Sequence, residues 1–283
     1  MKGKALGGWL KNQFINIKFE IMKKNIFKML SFIMMGLIML ACNPKTDNKD
    51  EKTNIKKDVV KQKVNTLSQQ DIDDGWVLIF DGKTSTNFRG YNKNAFPEKG
   101  WVIEDGTIHC LATGKGEAGG GGDIIIDKKY KNFELSLEWK ISEGGNSGIF
   151  YLAQEKEGVP IWKSAPEMQI LDNAKHPDAK LGKDGNRKAG ALYDLIPAVP
   201  QNAKPAGEWN KVNILVYKGT VVHNQNGENV VEYHLWTQDW KDMCANSKFK
   251  DWEDFINTAE EGYIGLQDHG DDVWFRNIKI KEL

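Results

Sequence analysis

The sequence has little cysteine and no excess of charge of either sign. Its three cysteines are Cys42, Cys110 and Cys244. This number is too small for a disulfide framework, and their spacing does not match a metal–thiolate site, although Cys110 and Cys244 could form one disulfide. The 39 Lys and Arg residues balance 39 Asp and Glu residues, so the formal net charge is +0. Without a basic excess, the chain has no electrostatic basis for binding nucleic acid.

The N-terminal part also lacks an apolar run long enough to span a bilayer. Residues 29–41 are apolar, but the segment is shorter than the ~20 residues that a transmembrane helix needs. It follows a basic start at Met22 and ends at Leu40-Ala41-Cys42, as in a secretory signal peptide. These last residues resemble the lipobox of bacterial lipoproteins, which implies cleavage before Cys42 and lipidation of its thiol. We expect an exported lipoprotein that faces the periplasm or the cell surface, with an uncleaved membrane anchor as the alternative.

Composition then divides the chain into three parts. Residues 1–42 form the predicted signal, with Met22 as the expected true start. Residues 43–73 are charged, mixed in sign and poor in apolar side chains, which predicts a disordered tether. Residues 74–283 remain for one globular domain, and this length is within the usual range of a single all-β domain.

Short strands separated by turns dominate the predicted globular domain. Residues 133–141 alternate between apolar and polar side chains, which is typical of a half-buried strand in an antiparallel sheet. Asn226-Gly227 is a hairpin signal. Further strands are predicted over residues 76–80, 101–103, 107–111, 123–127, 148–152, 212–217, 220–224, 230–233 and 273–280. With one short helical insertion over residues 237–259, the pattern indicates an all-β sandwich or barrel.

Two of the predicted strands carry pairs of polar side chains on one face. Glu167 and Gln169 occupy alternate positions on one strand, and Gln267 and His269 on another. Burying such groups without partners is unfavourable. They are therefore predicted to line a shared cleft, although an edge strand with one solvated face is the alternative for the first pair.

Six stretches occur in an order that resembles one known family. They are Asn-Ser-Gly-Ile-Phe at 146–150, Pro-Glu-Met-Gln-Ile-Leu-Asp at 166–172, Gly-Ala-Leu-Tyr-Asp at 190–194, Gly-Glu-Trp-Asn at 207–210, Gly-Leu-Gln-Asp-His-Gly at 265–270 and Phe-Arg-Asn-Ile-Lys-Ile at 275–280. Over residues 74–283 the chain resembles the 3-keto-disaccharide hydrolases. The resemblance implies a concanavalin-like jelly roll of two antiparallel sheets, with its site on the concave sheet face and a carbohydrate as substrate.

The chemistry of a 3-keto sugar indicates which residue types to seek. A ketone at C3 acidifies the C2 hydrogen, so that a base can remove it; the C1 substituent then leaves and water adds. This requires a base, donors or a cation at the C3 oxygen, and an acid for the leaving group. The candidate catalytic residues are Glu167, Asp172, His176, Tyr193, Asp194, His223 and His269. The candidate substrate-binding residues are Asn146, Gln169, Gln267 and Arg276.

Several of these candidates also have a structural explanation. His176 lies in a predicted surface loop, His223 fits a hydrogen-bonded core position, and Arg276 could form a structural ion pair. Tyr193 and Asp194 would face opposite sides of a regular strand, so only one of them is expected to reach the cleft.

Two other functions remain open at this stage. A retaining glycosidase needs two carboxyl groups about 5–5.5 Å apart, and Glu167 with Asp172 would reach this geometry only through a β-bulge. A non-catalytic glycan-binding module on the cell surface is the other, since the jelly roll hosts both functions. No organic cofactor is expected. A divalent ion held by histidine and carboxylate groups could polarise the ketone, although the sequence has no compact ligand motif.

Overall fold

The computed structural model describes residues 63–117 and 119–283, so Cys42 and the predicted signal segment lie outside the described residues. The strands are β1 Val77–Leu78, β2 Phe88–Gly90, β3 Trp101–Glu104, β4 Thr107–Cys110, β5 Ile124–Ile126, β6 Phe133–Ile141, β7 Asn146–Ala153, β8 Glu167–Leu171, β9 Asn210–Tyr217, β10 Thr220–Gln225, β11 Glu228–His234, β12 Tyr263–Leu266 and β13 Val273–Glu282. The helices are α1 Gln69–Asp73, α2 Gln238–Ala245 and α3 Glu253–Ile256, with 3₁₀ turns at Ile161–Lys163 and Pro177–Lys180.

These strands form two antiparallel sheets. The larger has the order β11-β10-β9-β6-β13-β4-β3, with β1 paired to β13, and the smaller has the order β2-β5-β12-β7-β8. Strand β6 matches its predicted bounds, and its alternate residues from Phe133 to Ile141 are almost fully buried between the sheets. The predicted two-sheet antiparallel sandwich is confirmed.

The smaller sheet is covered on both faces. Its inner face contributes Met168 and Ile170 to the main core. Its outer face carries a second apolar cluster, which includes Phe150 and Ile161. Strand β8 is therefore buried along its whole length although it lies at the sheet edge. The alternative of a solvated strand face is wrong.

The folded unit begins before residue 74, which corrects the predicted boundary of the tether. Helix α1 has a capping box between Ser68 and Asp71. Upstream of it, Asn65 N donates to Asn277 Oδ1 at 2.6 Å, and Asn277 N donates to Asn65 Oδ1 at 2.8 Å. Residues 63–73 are thus attached through polar groups, and a search for apolar residues does not detect such a segment.

Other details also differ from the sequence predictions. Strand β2 was not predicted, and the predicted helical insertion contains two short helices, α2 and α3, in place of one. Cys110 and Cys244 are free, buried thiols, so they do not form a disulfide. In the part of the chain that the structure describes, no helix is both long and apolar enough to cross a membrane.

Candidate active site

A cavity of about 250 Å³, the first cavity, opens on the outer face of the smaller sheet. Its lining residues are Glu117, Asn146, Trp162, Ala165, Glu167, Gln169, Tyr193, Lys248, Phe249, Trp252, Phe255, Gln267 and His269. Strands β7 and β8 and the segment after β12 supply a polar floor. The loops and helix α3 supply an aromatic wall. The structure thus brings together six of the predicted site residues.

Strand register determines how the floor is arranged. Gly148 on β7 pairs with Gln169 on β8, and Gln267 N donates to Gly148 O at 3.0 Å. One glutamine therefore lies on each side of Gly148. A Cβ at position 148 would overlap the Glu167 carboxyl, so this carboxyl lies over Gly148. In the amide orientation that satisfies both its atoms, Gln169 donates to Glu167 Oε1 at 3.1 Å and to Ser147 O at 2.9 Å.

Burial controls the protonation of Glu167. The residue is 8% exposed. Removal from water disfavours its charged form and raises its pKa to about 8, although the Lys248 ammonium opposes this shift. At neutral pH the carboxyl therefore holds a proton that it can donate.

His269 lies at the end of the floor nearest to Asn146. Its Nε2 is 3.3 Å from Asn146 Nδ2. The ring of His176 meets it edge-on, with 6.2 Å between the ring centroids. His176 does not line the first cavity, and its Nδ1 accepts a hydrogen bond from Asp178 N at 3.1 Å. Burial and the neighbouring His269 lower the pKa of His176.

Tyr193 reaches the first cavity and Asp194 does not. The chain here is a turn in which Asp194 has a φ of +59°, so the expected strand is absent. The Tyr193 hydroxyl donates to Asp178 Oδ2 at 2.9 Å, and Asp194 pairs with Arg187. Lys248 Nζ lies 4.1 Å from the centroid of the Tyr193 ring and 4.0 Å from Asp194 Oδ2.

Asp172 lies outside the first cavity and does not form a pair with Glu167 there. The register between β7 and β8 is continuous, so no bulge turns Asp172 onto the face of Glu167. Its carboxylate instead accepts hydrogen bonds from Gly144 N at 2.8 Å and Ala174 N at 3.0 Å. The geometry of a retaining glycosidase is therefore not formed by these two residues.

His223 and Arg276 also lie away from the first cavity. His223 is fully buried between the sheets, where Nε2 contacts Tyr151 Oη at 2.8 Å and Nδ1 contacts Gly190 O at 3.0 Å. Burial lowers the pKa of His223 to about 4, so the ring is neutral. Arg276 on the larger sheet donates to Glu138 Oε2 at 2.8 Å. Both positions correspond to the structural explanations considered from the sequence.

A second cavity of about 420 Å³ adjoins the first. The two share Glu117, Trp162 and Gln267. The lining of the second cavity also includes Lys93 and Asp123.

The glycine run forms one side of this second cavity. Asp268 is fully buried, and its Oδ2 accepts hydrogen bonds from the N–H groups of Gly120, Gly121 and Gly122 at 2.9, 2.9 and 3.0 Å. Oδ1 accepts a further bond from Gly270 N at 3.0 Å. The run therefore encloses a carboxylate, which holds the segment carrying Gln267 and His269 in place.

Residues 75–281 match the model of the 3-keto-alpha-glucoside-1,2-lyase-like domain family. The chain belongs to this family. It is 60% identical over 230 residues to the 3-keto-disaccharide hydrolase of Bacteroides thetaiotaomicron, covering 74% of this chain and 79% of the relative. The predicted family is therefore confirmed, and so is the predicted class of enzyme, a hydrolase.

Solved structures support the same family fold. A crystal structure of a candidate glycosyl hydrolase from Parabacteroides distasonis is 31% identical, with a TM-score of 0.69, and covers 78% of this chain and 100% of its own. A second one from that organism is 29% identical, with a TM-score of 0.56, and covers 74% and 99% of the two chains.

Sequence reasoning missed the aromatic wall of the first cavity and the cation beside it. Trp162 and Trp252 lie 5.0 Å apart between ring centroids, and Phe249 and Phe255 stack at 4.3 Å. Lys248 lies beside them with its side chain 36% exposed, and partial removal from water lowers its pKa. The sequence signal for this wall was the occurrence of aromatic residues within the otherwise polar stretch that was predicted to be helical.

Among residues 63–117 and 119–283, no group of three or more His, Cys, Asp or Glu side chains is arranged to hold a metal ion.

Proposed function

We propose that this protein cleaves 3-keto-glycosides by elimination and hydration in the first cavity. The observation that carries the proposal is the environment of Glu167, a buried carboxyl that is protonated at neutral pH and shares its cavity with a cation and a histidine. The family and the name of the Bacteroides relative support this substrate class.

Groups in the first cavity can remove the C2 proton and stabilise the C3 oxygen. His269 takes the proton from C2, while Glu167 donates a hydrogen bond to the C3 oxygen. Lys248 supplies a positive charge as that oxygen becomes an enolate. Fixed donors and charges aimed at developing charge are the main means by which such steps are accelerated. The C1 substituent then leaves, and water adds to the resulting enone.

Two buried acceptors support binding of a hydroxylated ligand. Asn146 Oδ1 and Gln267 Oε1 have no hydrogen-bond partner within the described residues. Buried polar atoms are nearly always paired in folded proteins, so an unpaired acceptor in a cavity is explained by a partner from outside the chain. Sugar hydroxyl groups can donate to both atoms, while the aromatic wall contacts the apolar face of the ring.

A matched pair of substrates tests the proposal. The purified protein is incubated with a 3-keto-glucoside and with its unoxidised parent in deuterated water. We expect cleavage of the keto compound, much slower cleavage of the parent, and solvent deuterium at C2 of the product. Equal rates on both substrates, without deuterium at C2, would indicate direct displacement. Binding of both without cleavage would indicate a glycan-binding module.

Substitutions connect this activity to the first cavity. Glu167→Gln and His269→Ala should each reduce kcat by about 10²–10⁴-fold, the usual contribution of a positioned acid or base. Glu232→Gln, at an exposed position on β11, serves as the control and should leave the rate unchanged. Full activity in both cavity variants would contradict the assignment.

We propose further that the protein is exported and anchored through lipidated Cys42. The basic segment, the apolar segment and Leu40-Ala41-Cys42 support this proposal. Mass spectrometry of the membrane fraction should find a lipidated N-terminal Cys42, and Cys42→Ser should abolish the modification. Recovery of a soluble chain that retains residues 29–41 would contradict it.

A further inference from the structure

We propose that the second cavity holds the leaving group of the substrate, and that Asp123 donates the proton which the departing oxygen takes up. The inference rests on the proposed function, because it assigns the acid that the elimination step still lacks. It goes beyond that function in naming a leaving-group subsite and a further catalytic residue.

The position of the second cavity suits a group attached to the reacting sugar. Trp162 and Gln267 line both cavities, so a ligand can pass from one to the other along these two side chains. The volume of about 420 Å³ lies within the range of roughly 300–1,000 Å³ that is usual for small-ligand sites. Its lining includes Tyr91, Asn92 and Lys93, and these polar groups suit a hydroxylated leaving group such as a second sugar.

Asp123 is placed to act on a ligand in the second cavity. It immediately precedes β5, and it shares a strand face with Ile125, which belongs to the outer cluster of the smaller sheet. The side chain therefore projects to the same side of the sheet as Glu167. Asp123 Oδ1 accepts a hydrogen bond from Asp268 N at 2.9 Å, and no donor in the described residues is bonded to Oδ2. One oxygen anchors the carboxyl and the other is left for a ligand.

The surroundings of Asp123 also favour the protonated form of its carboxyl, which can donate a proton. Burial raises its pKa to about 7, the nearby carboxylates of Asp268 and Glu117 act in the same direction, and Lys93 opposes them. A carboxyl group with a pKa near the working pH is suited to general acid catalysis. The charge of Asp123 also raises the pKa of Glu167.

The proton balance of the reaction is complete with these groups. His269 takes the proton from C2, and the electron pair forms the enolate at C2, C3 and the C3 oxygen. When the enolate collapses, the C1–O bond breaks, its electrons go to the leaving oxygen, and Asp123 protonates that oxygen. Water then adds to C1 and gives a proton to the Asp123 carboxylate, while the histidine returns a proton to C2.

Leaving groups of different basicity test this assignment. Asp123→Asn is compared with the wild type on a 3-keto-disaccharide, whose leaving alkoxide needs a proton, and on a 4-nitrophenyl 3-keto-glucoside, whose phenolate leaves without one. We expect kcat on the disaccharide to fall by about 10²–10⁴-fold and kcat on the aryl glycoside to change little. Activity on the aryl glycoside also demonstrates that the variant is folded. Asp105→Asn, at an exposed turn position, is the control.

The outcomes separate the inference from the function on which it rests. If the wild type cleaves neither substrate, the proposed function fails. If the wild type cleaves both, and Asp123→Asn is slowed equally on both or on neither, Asp123 is not the acid and the inference is overturned. A loss confined to the disaccharide supports it.

Discussion

Glu167 extends over the position where residue 148 would carry a side chain, so Gly148 provides the space for its carboxyl. The φ of Gly148 is not in the left-handed region, so an alanine there is limited by this contact alone. Gly148→Ala should displace the carboxyl, reduce kcat on a 3-keto-glycoside, and lower the free energy of unfolding by about 1–3 kcal/mol through overpacking. Steady-state kinetics and urea unfolding measure the two effects.

A double-mutant cycle provides the control for this contact. In a Glu167→Ala background, the same Gly148→Ala substitution should lower the free energy of unfolding much less, since the overlapping group is absent. An equal loss of unfolding free energy in both backgrounds would show that the Glu167 carboxyl is not the group that the alanine overlaps.

The raised pKa of Glu167 predicts that stability depends on pH. Folding raises this pKa from 4.5 to about 8, so the folded state retains a proton that the unfolded chain releases across this range. The free energy of unfolding should therefore fall as pH rises from about 4.5 to 8, by up to about 1.4 kcal/mol per pH unit for this group. Glu167→Gln should remove this part of the slope, as measured by urea unfolding at several pH values.

Asp123 contributes to the same decline between its ordinary value of 3.8 and about 7. The Glu167→Gln variant should thus retain a smaller slope, which the additional Asp123→Asn substitution should remove. A slope that is unchanged in both variants would contradict the burial argument for these carboxyl groups.

Lys248 provides positive charge in the first cavity and should act mainly on the rate of the chemical step. Lys248→Met keeps much of the side-chain volume and removes the charge. We expect kcat on a 3-keto-glycoside to fall by about 10²–10³-fold, as for loss of a group that stabilises an oxyanion, with a smaller change in KM. Lys250→Met is the matched control, since Lys250 is exposed and lines neither cavity. A similar loss in both variants would indicate a general effect of charge.

Asp268 should contribute strongly to stability because four backbone N–H groups donate to its carboxylate. Asp268→Asn places an amide nitrogen against some of these donors. Hydrogen bonds to charged groups contribute about 1.5–3 kcal/mol each, so we expect a loss of about 3 kcal/mol or more in the free energy of unfolding. Urea unfolding measures this loss. Asp105→Asn should show almost none, and equal stability of the two variants would contradict the role of Asp268.

Local sequence patterns predicted the strands and the faces of their side chains better than the contacts between distant segments. Strand β6 could be predicted because one of its faces is buried throughout, and this burial is visible in the sequence as alternating apolar residues. Alternation alone also predicted a common cavity for four polar side chains, those of Glu167, Gln169, Gln267 and His269. Alternation does not specify which sheet a strand joins, and for this reason His223 was a candidate although it lies between the sheets.

The remaining parts of the site depend on tertiary packing. Lys248 reaches the first cavity only because the segment from α2 to α3 folds over the smaller sheet, and no local pattern encodes this placement. Asp123 was overlooked because it stands between a glycine run and an apolar strand. Its neighbour in space, Asp268, is 145 positions away in the sequence.

The polar floor and the aromatic wall of the first cavity come from separate parts of the chain. Glu167 stands on β8 and His269 on the segment after β12, which sheet pairing and the Asp268 hydrogen bonds hold in place. Three of the four wall aromatics belong to residues 249–255. Exchanging this segment between relatives should therefore change which glycosides are accepted while the reaction itself is retained, so that substrate preference in this family can diverge without alteration of its catalytic centre.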